Sequence, residues 1–220
     1  MNGSREDSEE NAPDTAYVEV TDEAELRELV GEPQRRTLDK ERDRLHELDK
    51  RWLAHSPFCL VATSDEQGRC DVSPKGDPPG FTLVLDDSTI ALPERPGNRR
   101  ADGFHNVLRN PHVGLLYMLP GRGDTLRING RARIVRQAPF FERMEVKGHR
   151  PTLALVVETE QVFHHCAKAF MRSDLWNPES WNPRAVDSRP NIAKTLESPD
   201  KSLAELEHYY GAEYARKLYG

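Results

Sequence analysis

The chain has 220 residues, with thirty-one basic and thirty-seven acidic side chains and a formal net charge of −6. This length suits one domain with additions at its ends, and the negative charge disfavours a general nucleic-acid-binding protein. We expect no membrane helix, because the apolar runs fall short of roughly 20 residues, and no secretory signal in the acidic N-terminus. Three cysteines without a Cys-x-x-Cys pair are typical of reduced thiols, which predicts a cytoplasmic protein.

The charge is unevenly distributed along the chain. Residues 1–32 contain eleven acidic side chains and two arginines, whereas residues 95–136 contain nine arginines and two acidic side chains. A group of arginines inside an acidic protein favours a localised anionic ligand over a long polyanion. We therefore expect a small molecule as the ligand, and neither a nucleic acid nor a membrane as a partner.

The first 56 residues are predicted to form a tail and a helical extension. Residues 1–16 are charged and lack a hydrophobic pattern, which predicts a disordered acidic tail. In residues 17–56, Thr21 is expected to cap a short helix that ends at Gly31. A longer amphipathic helix is predicted from about Thr37 to residue 55.

Residues 57–183 are predicted to form the main domain, built on an antiparallel sheet. Short apolar or alternating runs, separated by turn residues, predict strands at 58–63, 69–73, 81–85, 89–92, 112–119, 125–135, 152–158 and 162–166. Their close spacing favours a barrel or sandwich over parallel βαβ units. Gly130, inside the longest strand, predicts a bulge or bend, and a helix is predicted over residues 139–147.

The last part of the chain contains two further predicted helical segments. Lys168 and Arg172 lie four residues apart, on one face of a predicted helical turn. Trp176 follows in a loop rich in Asn and Pro. Residues 184–220 are predicted to form a linker, over 184–197, and then a single amphipathic helix that starts at Ser198-Pro199.

A candidate anion site lies in the arginine-rich middle of the chain. Asn98 stands where a helix N-cap is expected, and Arg99 and Arg100 follow it directly. The N–H groups and the dipole of a helix N-terminus favour an anion, and guanidinium groups bind phosphate oxygens with two parallel hydrogen bonds. These residues alone leave two interpretations open, a phosphate site and an ordinary solvated helix start.

Other kinds of site are disfavoured by the sequence. His164 and His165 are adjacent in a predicted strand, so their side chains point to opposite faces and do not readily share a metal ion. No second cluster completes a usual zinc site, and we predict no metal. The sequence contains no Gly-x-Ser-x-Gly, P-loop or Rossmann motif, and we assign no catalytic residue.

The order of these features resembles the flavin-binding segment of the pyridoxamine 5'-phosphate oxidase family. In that family a barrel strand ends in a lysine, a hairpin strand follows, and a Ser-Arg-Lys turn opens a helix that stops at Asn-Pro. The counterparts here are Lys75, the strand 89–92, Asn98-Arg99-Arg100 and Asn110-Pro111. The resemblance covers about residues 55–175 and implies a mainly β (α+β) fold, an antiparallel FMN-binding split β-barrel of Greek-key type with peripheral helices.

The resemblance also implies a cofactor, a set of site residues and an assembly. FMN would be bound through its phosphate, and the family builds its site across the interface of a homodimer. The residues implied for the phosphate and ribityl chain are Ser73, Lys75, Asn98, Arg99 and Arg100. Thr125 would lie near the flavin ring, and Lys168, Arg172 and Trp176 would come from the second subunit.

Some features depart from the family pattern. Cys70 stands where the family tends to have arginine, and the residues after Ser198 predict a helix in place of the family's usual C-terminal motif. We therefore expect an FMN-dependent oxidoreductase of unassigned substrate, with weak or no oxidation of pyridoxamine 5'-phosphate. A deazaflavin is the alternative cofactor. A non-catalytic flavin carrier or sensor and a ligand-free interaction module are the alternative functions.

Overall fold

The computed structural model describes residues 17–216, 218 and 219, without the side chains of 213 and 215. The predicted acidic tail, residues 1–16, lies outside the described residues. The chain divides after Asp39 into two compact units. The proposed domain limits at residues 16, 56 and 183 stay predictions.

The described part of the first unit, residues 17–39, contains two short helices. Helix α1 spans Glu23–Val30, and its N-cap is Asp22, whose side chain accepts the N–H of Glu25, so the predicted cap at Thr21 is wrong by one residue. The helix ends at Gly31, as predicted, where a φ of 76° suits glycine. Helix α2 is limited to Arg35–Leu38.

The long helix predicted from Thr37 to residue 55 is wrong in its first half. Helix α3 begins only at Glu47 and ends at His55. Between the two helices, Arg42 exchanges both backbone hydrogen bonds with Val162, at 3.1 and 2.6 Å. A backbone that pairs with a strand in this way is extended and cannot continue a helix.

The second unit is built on a seven-stranded antiparallel sheet. The strands are β1 Phe58–Ser64, β2 Cys70–Gly76, β3 Leu83–Asp86, β4 Thr89–Pro93, β5 His112–Met118, β6 Thr125–Val135 and β7 Ala154–His165. Their order is β2-β1-β5-β6-β7-β4-β3, so the first and last strands of the sheet are not hydrogen-bonded to each other. The predicted mainly β, antiparallel fold of the split-barrel type is confirmed.

Strand β7 is continuous, although two separate strands were predicted for it. Gly130 pairs with Thr159 and Asn129 pairs with Gln161, which leaves Glu160 as the extra residue of a bulge. The bulge predicted at Gly130 is therefore confirmed, with its extra residue on the neighbouring strand. A Cβ on Gly130 would lie 2.0 Å from the carbonyl oxygen of Glu158, so only glycine fits there.

The helices of the second unit after α3 are α4 Asp102–Arg109, α5 Lys168–Ser173, α6 Arg189–Leu196, α7 Leu203–Tyr209 and α8 Ala212–Arg216. The predicted linker over 184–197 is wrong, because Ser188 caps α6 and Ala193 is buried within that helix. The single helix predicted after Ser198 is interrupted between α7 and α8. The helix predicted over 139–147 is a 3-10 turn, Pro139–Met144.

Helix α3 is joined to the sheet by a buried carboxylate. Asp49 is 1 % exposed and pairs with Arg42, and its Oδ1 lies 3.0 Å from Nε2 of His164 on β7. Burial alone would raise the pKa of Asp49, but hydrogen bonds from His164, Arg42 and the N–H of His46 outweigh it and hold that pKa well below its usual value. The contact fixes α3 over a core that includes Leu53 and Ile128.

Candidate functional site

Two neighbouring cavities lie beside the ends of β2 and β4, and the first of them also borders helix α4. The first cavity has a volume of about 260 Å³ and the second about 400 Å³. The residues that line both are Ser73, Pro74, Lys75, Glu94 and Asn98. The two spaces are therefore adjacent, and their combined volume is large enough for a cofactor-sized ligand.

Strand β2 supplies one wall of the first cavity through the alternation of its side chains. Asp71, Ser73 and Lys75 are half-buried, whereas Val72 and Pro74 between them are exposed. Successive side chains of a strand point to opposite faces, so the three polar residues share the inner face. Sequence analysis identified Ser73 and Lys75 but missed Asp71, which the same alternation of side chains along the strand would have indicated.

The loop before α4 supplies the opposite wall, in a conformation that differs from the prediction. Helix α4 begins at Asp102, and the expected N-cap at Asn98 is wrong by three residues, because Ala101 holds that position. Instead, Oδ1 of Asn98 accepts the N–H of Arg100 at 3.0 Å and forms a local turn. Arg99 and Ala101 have φ values of 62° and 57°, in the left-handed region, which prevents the helix from starting earlier.

This N-terminus still offers anion-binding groups to the first cavity. No side chain caps α4, and Asp102 and Gly103 of its first turn line the cavity together with Arg100. Non-glycine residues in the left-handed region are strained and cluster at ligand sites. The helix N-terminus that was expected beside Arg99 and Arg100 is thus present, but the helix begins later in the sequence than predicted.

Both cations of the first cavity already have carboxylate partners. Lys75 pairs with Glu94, and Nε of Arg100 donates to Oδ2 of Asp102 at 2.7 Å. The hydrogen bond and charge of Asp102 raise the pKa of Arg100, so this guanidinium stays charged. A phosphate in this cavity would therefore share these cations with carboxylates. Glu94 was missed because its approach to Lys75 depends on how the sheet brings β4 beside β2.

Asn106 ties α4 to the floor of the first cavity. This buried side chain donates to Oγ1 of Thr63 at 3.0 Å and to Oδ2 of Asp71 at 2.7 Å. Both acceptors line the cavity, so Asn106 fixes their positions from behind. This contact has no local signal in the sequence, because it joins residues 43 and 35 positions apart.

Four of the five residues expected at the phosphate are brought together. Ser73, Lys75, Asn98 and Arg100 line the first cavity, whereas Arg99 does not, although it is in the same loop. Thr125, Lys168, Arg172 and Trp176 line neither cavity of the described chain. Their roles as ring contact and as partner-subunit residues stay predictions.

Thr125 is the first residue of β6, and the other three residues lie in the segment after β7. Thr125 is buried and pairs with Met118 and His165. Trp176 donates its indole N–H to the carbonyl of Arg122 at 2.7 Å, and its ring stacks on Phe170. Trp176 is therefore fixed by its own chain.

The second cavity is bordered by a buried ion pair. Asp77, just after β2, accepts a hydrogen bond from Nε of Arg95 at 2.5 Å, and its side chain is 1 % exposed. Arg95 also donates to the carbonyls of Met144 and His149, at 2.6 and 3.1 Å. Arg95 is thus hydrogen-bonded to Asp77, Met144 and His149, and it forms part of the wall of the second cavity.

The family model of pyridoxamine 5'-phosphate oxidase matches residues 45–166, which is more than half of the chain. The matched segment contains β1 to β7, α4 and every residue of the first cavity. The chain therefore belongs to the pyridoxamine 5'-phosphate oxidase family. No curated protein matches it at a significant level.

Several solved structures are similar to this chain at low sequence identity. HupZ of Group A Streptococcus is 18 % identical over 55 % of this chain and 93 % of its own, with a TM-score of 0.45. A candidate pyridoxamine 5'-phosphate oxidase of Lactobacillus delbrueckii is 22 % identical over 56 % and 95 %, with a TM-score of 0.44. An FMN-binding protein of Syntrophomonas wolfei is 11 % identical over 54 % and 89 %, with a TM-score of 0.42.

Two further properties concern the described residues only. Within them, no group of three His, Cys, Asp or Glu side chains is arranged to hold a metal ion. None of their helices combines the length and the hydrophobicity that a membrane crossing requires.

Proposed function

We propose that this chain binds FMN, with the phosphate in the first cavity, and acts as an FMN-dependent oxidoreductase. The observation that carries the proposal is the convergence of Ser73, Lys75, Asn98 and Arg100 on one cavity of a family member. These residues come from β2 and from the loop before α4, and the sequence already suggested them as phosphate ligands.

The donors in the first cavity fit a phosphate ester. Among the described residues, Arg100 uses only its Nε in a side-chain hydrogen bond, and the Lys75 ammonium has one carboxylate partner for its three donors. The hydroxyl of Ser73 and the amide N–H groups of Asn98 add neutral donors. The uncapped N-terminus of α4 favours the same charge.

When bound, FMN supplies the redox chemistry, because its ring can accept or donate a hydride. The protein's part is to hold the phosphate, to orient the rest of the cofactor toward the second cavity, and to exclude water there. No protein acid or base is required for a hydride transfer of this kind. The substrate stays unassigned.

The assembly is part of the proposal. A second copy of the chain would bring Lys168, Arg172 and Trp176 to the flavin. Because Thr125 lines neither cavity of the described chain, its predicted place near the ring would also have to come from the second copy. Exposed hydrophobic side chains, among them Leu108 and Met171 at 72 % and 74 % exposure, are available for contact with a partner.

The test is the absorption spectrum of the freshly purified protein, followed by titration of the FMN-free form with FMN. We expect Arg100→Ala to weaken FMN binding by about 1.5 kcal/mol, roughly tenfold in Kd, because Arg100 is largely exposed and a charge-assisted hydrogen bond lies at the lower end of its range there. Arg109→Ala, on the far end of α4, is the matched control. Arg99→Ala checks the contact predicted for that residue.

The outcomes separate the oxidoreductase from the alternative functions. FMN affinity that is equal in wild type and Arg100→Ala would contradict the phosphate site. A deazaflavin spectrum would replace FMN as the cofactor. Tight FMN binding without reduction by NAD(P)H and without oxidase activity would identify a carrier, and a colourless protein that binds neither cofactor would refute flavin binding.

A further inference from the structure

The second cavity is closed on one side by Leu218 and Tyr219, which follow helix α8 and which we call the strap. The phenol of Tyr219 donates a hydrogen bond to Oδ1 of Asp77 at 2.6 Å. This contact joins residues 142 positions apart and brings the strap to the point where β2 ends. The strap therefore forms a wall of the cavity that adjoins the phosphate site.

The receiving surface for the strap is rigid. Both oxygens of the Asp77 carboxylate are engaged, one by Tyr219 and the other by Arg95. Arg95 is itself held by the carbonyls of Met144 and His149. Loss of the Tyr219 hydroxyl would leave one oxygen of a buried carboxylate without its donor, which is unfavourable.

The ring of Tyr219 is held from several sides as well. It stacks on the imidazole of His149, with ring centroids 5.8 Å apart and planes at 25°. The guanidinium of Arg95 and the ammonium of Lys147 lie 5.5 and 5.6 Å from its centroid, within the range of cation–π attraction. The hydrogen bond to Asp77 raises the pKa of Tyr219, so the hydroxyl stays protonated and donates at neutral pH.

The strap can open without disturbing the sheet. Among the described residues, its hydrogen bond to Asp77 is its one side-chain hydrogen bond, and Leu218 is 55 % exposed. A segment attached through a single side chain opens locally at a free energy far below that of global unfolding. The attachment is thus specific and reversible.

The position of the strap indicates what it covers. The two cavities share Ser73, Lys75 and Asn98, so the adjoining second cavity offers space for the rest of a cofactor whose phosphate lies in the first. The second cavity has apolar walls from Phe81, Leu218 and three prolines, which suit a flat ring system. We propose that the strap closes over the ring system of bound FMN and must open for the flavin to enter or leave.

This inference rests on the proposed FMN function, and stopped-flow fluorescence of the FMN-free protein tests it. Association and dissociation rates are measured for FMN and for riboflavin, which lacks the phosphate. Because the strap must open for entry as well as exit, we expect Tyr219→Phe to raise the association rate and the dissociation rate of both ligands. The increase should be about tenfold, which corresponds to the loss of one hydrogen bond to a charged acceptor. Tyr209→Phe, which removes an exposed hydroxyl on α7, is the matched control.

Arg100→Ala gives the contrasting pattern. It should raise the dissociation rate of FMN only and leave riboflavin unchanged, because it acts on the phosphate. If Tyr219→Phe changes neither rate, or raises the dissociation rate alone, the strap is not a gate and the inference is wrong. If the wild-type protein binds neither ligand, both the proposed function and the inference about the strap are wrong. If Arg100→Ala weakens FMN binding but Tyr219→Phe changes neither rate, only the inference about the strap is wrong.

Discussion

Glu94→Gln should tighten the binding of FMN, because it releases Lys75 from the carboxylate that now pairs with it. Both side chains are partly buried, 24 % exposed for Lys75 and 29 % for Glu94. A partly exposed ion pair of this kind contributes about 0 to 1 kcal/mol, whereas a charge-assisted hydrogen bond to phosphate contributes about 1.5 to 3 kcal/mol. In wild type the phosphate contact of Lys75 costs this ion pair, whereas in Glu94→Gln it does not, so the gain is the free energy of the pair. At the upper end of its range this is about 1 kcal/mol, which corresponds to a Kd that is about fivefold lower.

The assay is a fluorescence titration of FMN-free wild type and Glu94→Gln with FMN and with riboflavin. Riboflavin has no phosphate, so its affinity should stay within about twofold if Lys75 acts on that group. Glu66→Gln, in the exposed turn between β1 and β2, removes the same charge at a residue that lines neither cavity, and it serves as the control. An unchanged or weaker affinity for FMN would refute the phosphate contact of Lys75, and equal tightening for riboflavin would move that contact to another part of the flavin.

Two more predictions concern stability and assembly. Asp49→Asn should lower the free energy of unfolding at pH 7 by about 2 to 3 kcal/mol, or Tm by roughly 4 to 12 °C, because it removes the charge that holds Arg42 and His164. The pKa of Asp49 is depressed in the folded state, so its contribution is present above the unfolded pKa of about 4 and is lost as the pH falls. Chemical denaturation should therefore show a difference between variant and wild type that shrinks below about pH 4, and a constant difference would contradict the charged pair. Light scattering should give about twice the 25.1 kDa chain mass, and a monomer that binds FMN with full affinity would contradict a site shared between subunits.

The strands could be predicted from the sequence because their signals are local. Strand β6 has the predicted limits, residues 125–135, since alternation and flanking turn residues define a strand wherever it lies in the fold. Ser73 and Lys75 are two residues apart in a strand, and side chains at this spacing point to the same face of the sheet. The bulge at Gly130 could be predicted because only glycine tolerates so close an approach of a neighbouring backbone.

The helices were predicted less well, because tertiary contacts overrode local pattern. The residues around Arg42 carry a helical pattern, but their backbone groups pair with β7 instead. The segment before Ser198 reads as a linker by composition, and a cap at Ser188 and burial of Ala193 make part of it a helix. Asn98 has the identity of an N-cap but forms a tighter turn three residues before the actual N-cap, Ala101.

The sequence by itself determined the antiparallel sheet, the family and most of the polar residues that meet in the first cavity, because each depends on residue types in a local pattern. Only the tertiary structure decided which charges meet. Glu94 reaches Lys75, and Tyr219 reaches Asp77, because the folded sheet brings the ends of β2 and β4 and the strap to one place. Residues 19 and 142 positions apart carry no local signal of contact, so these pairings appear only in the fold.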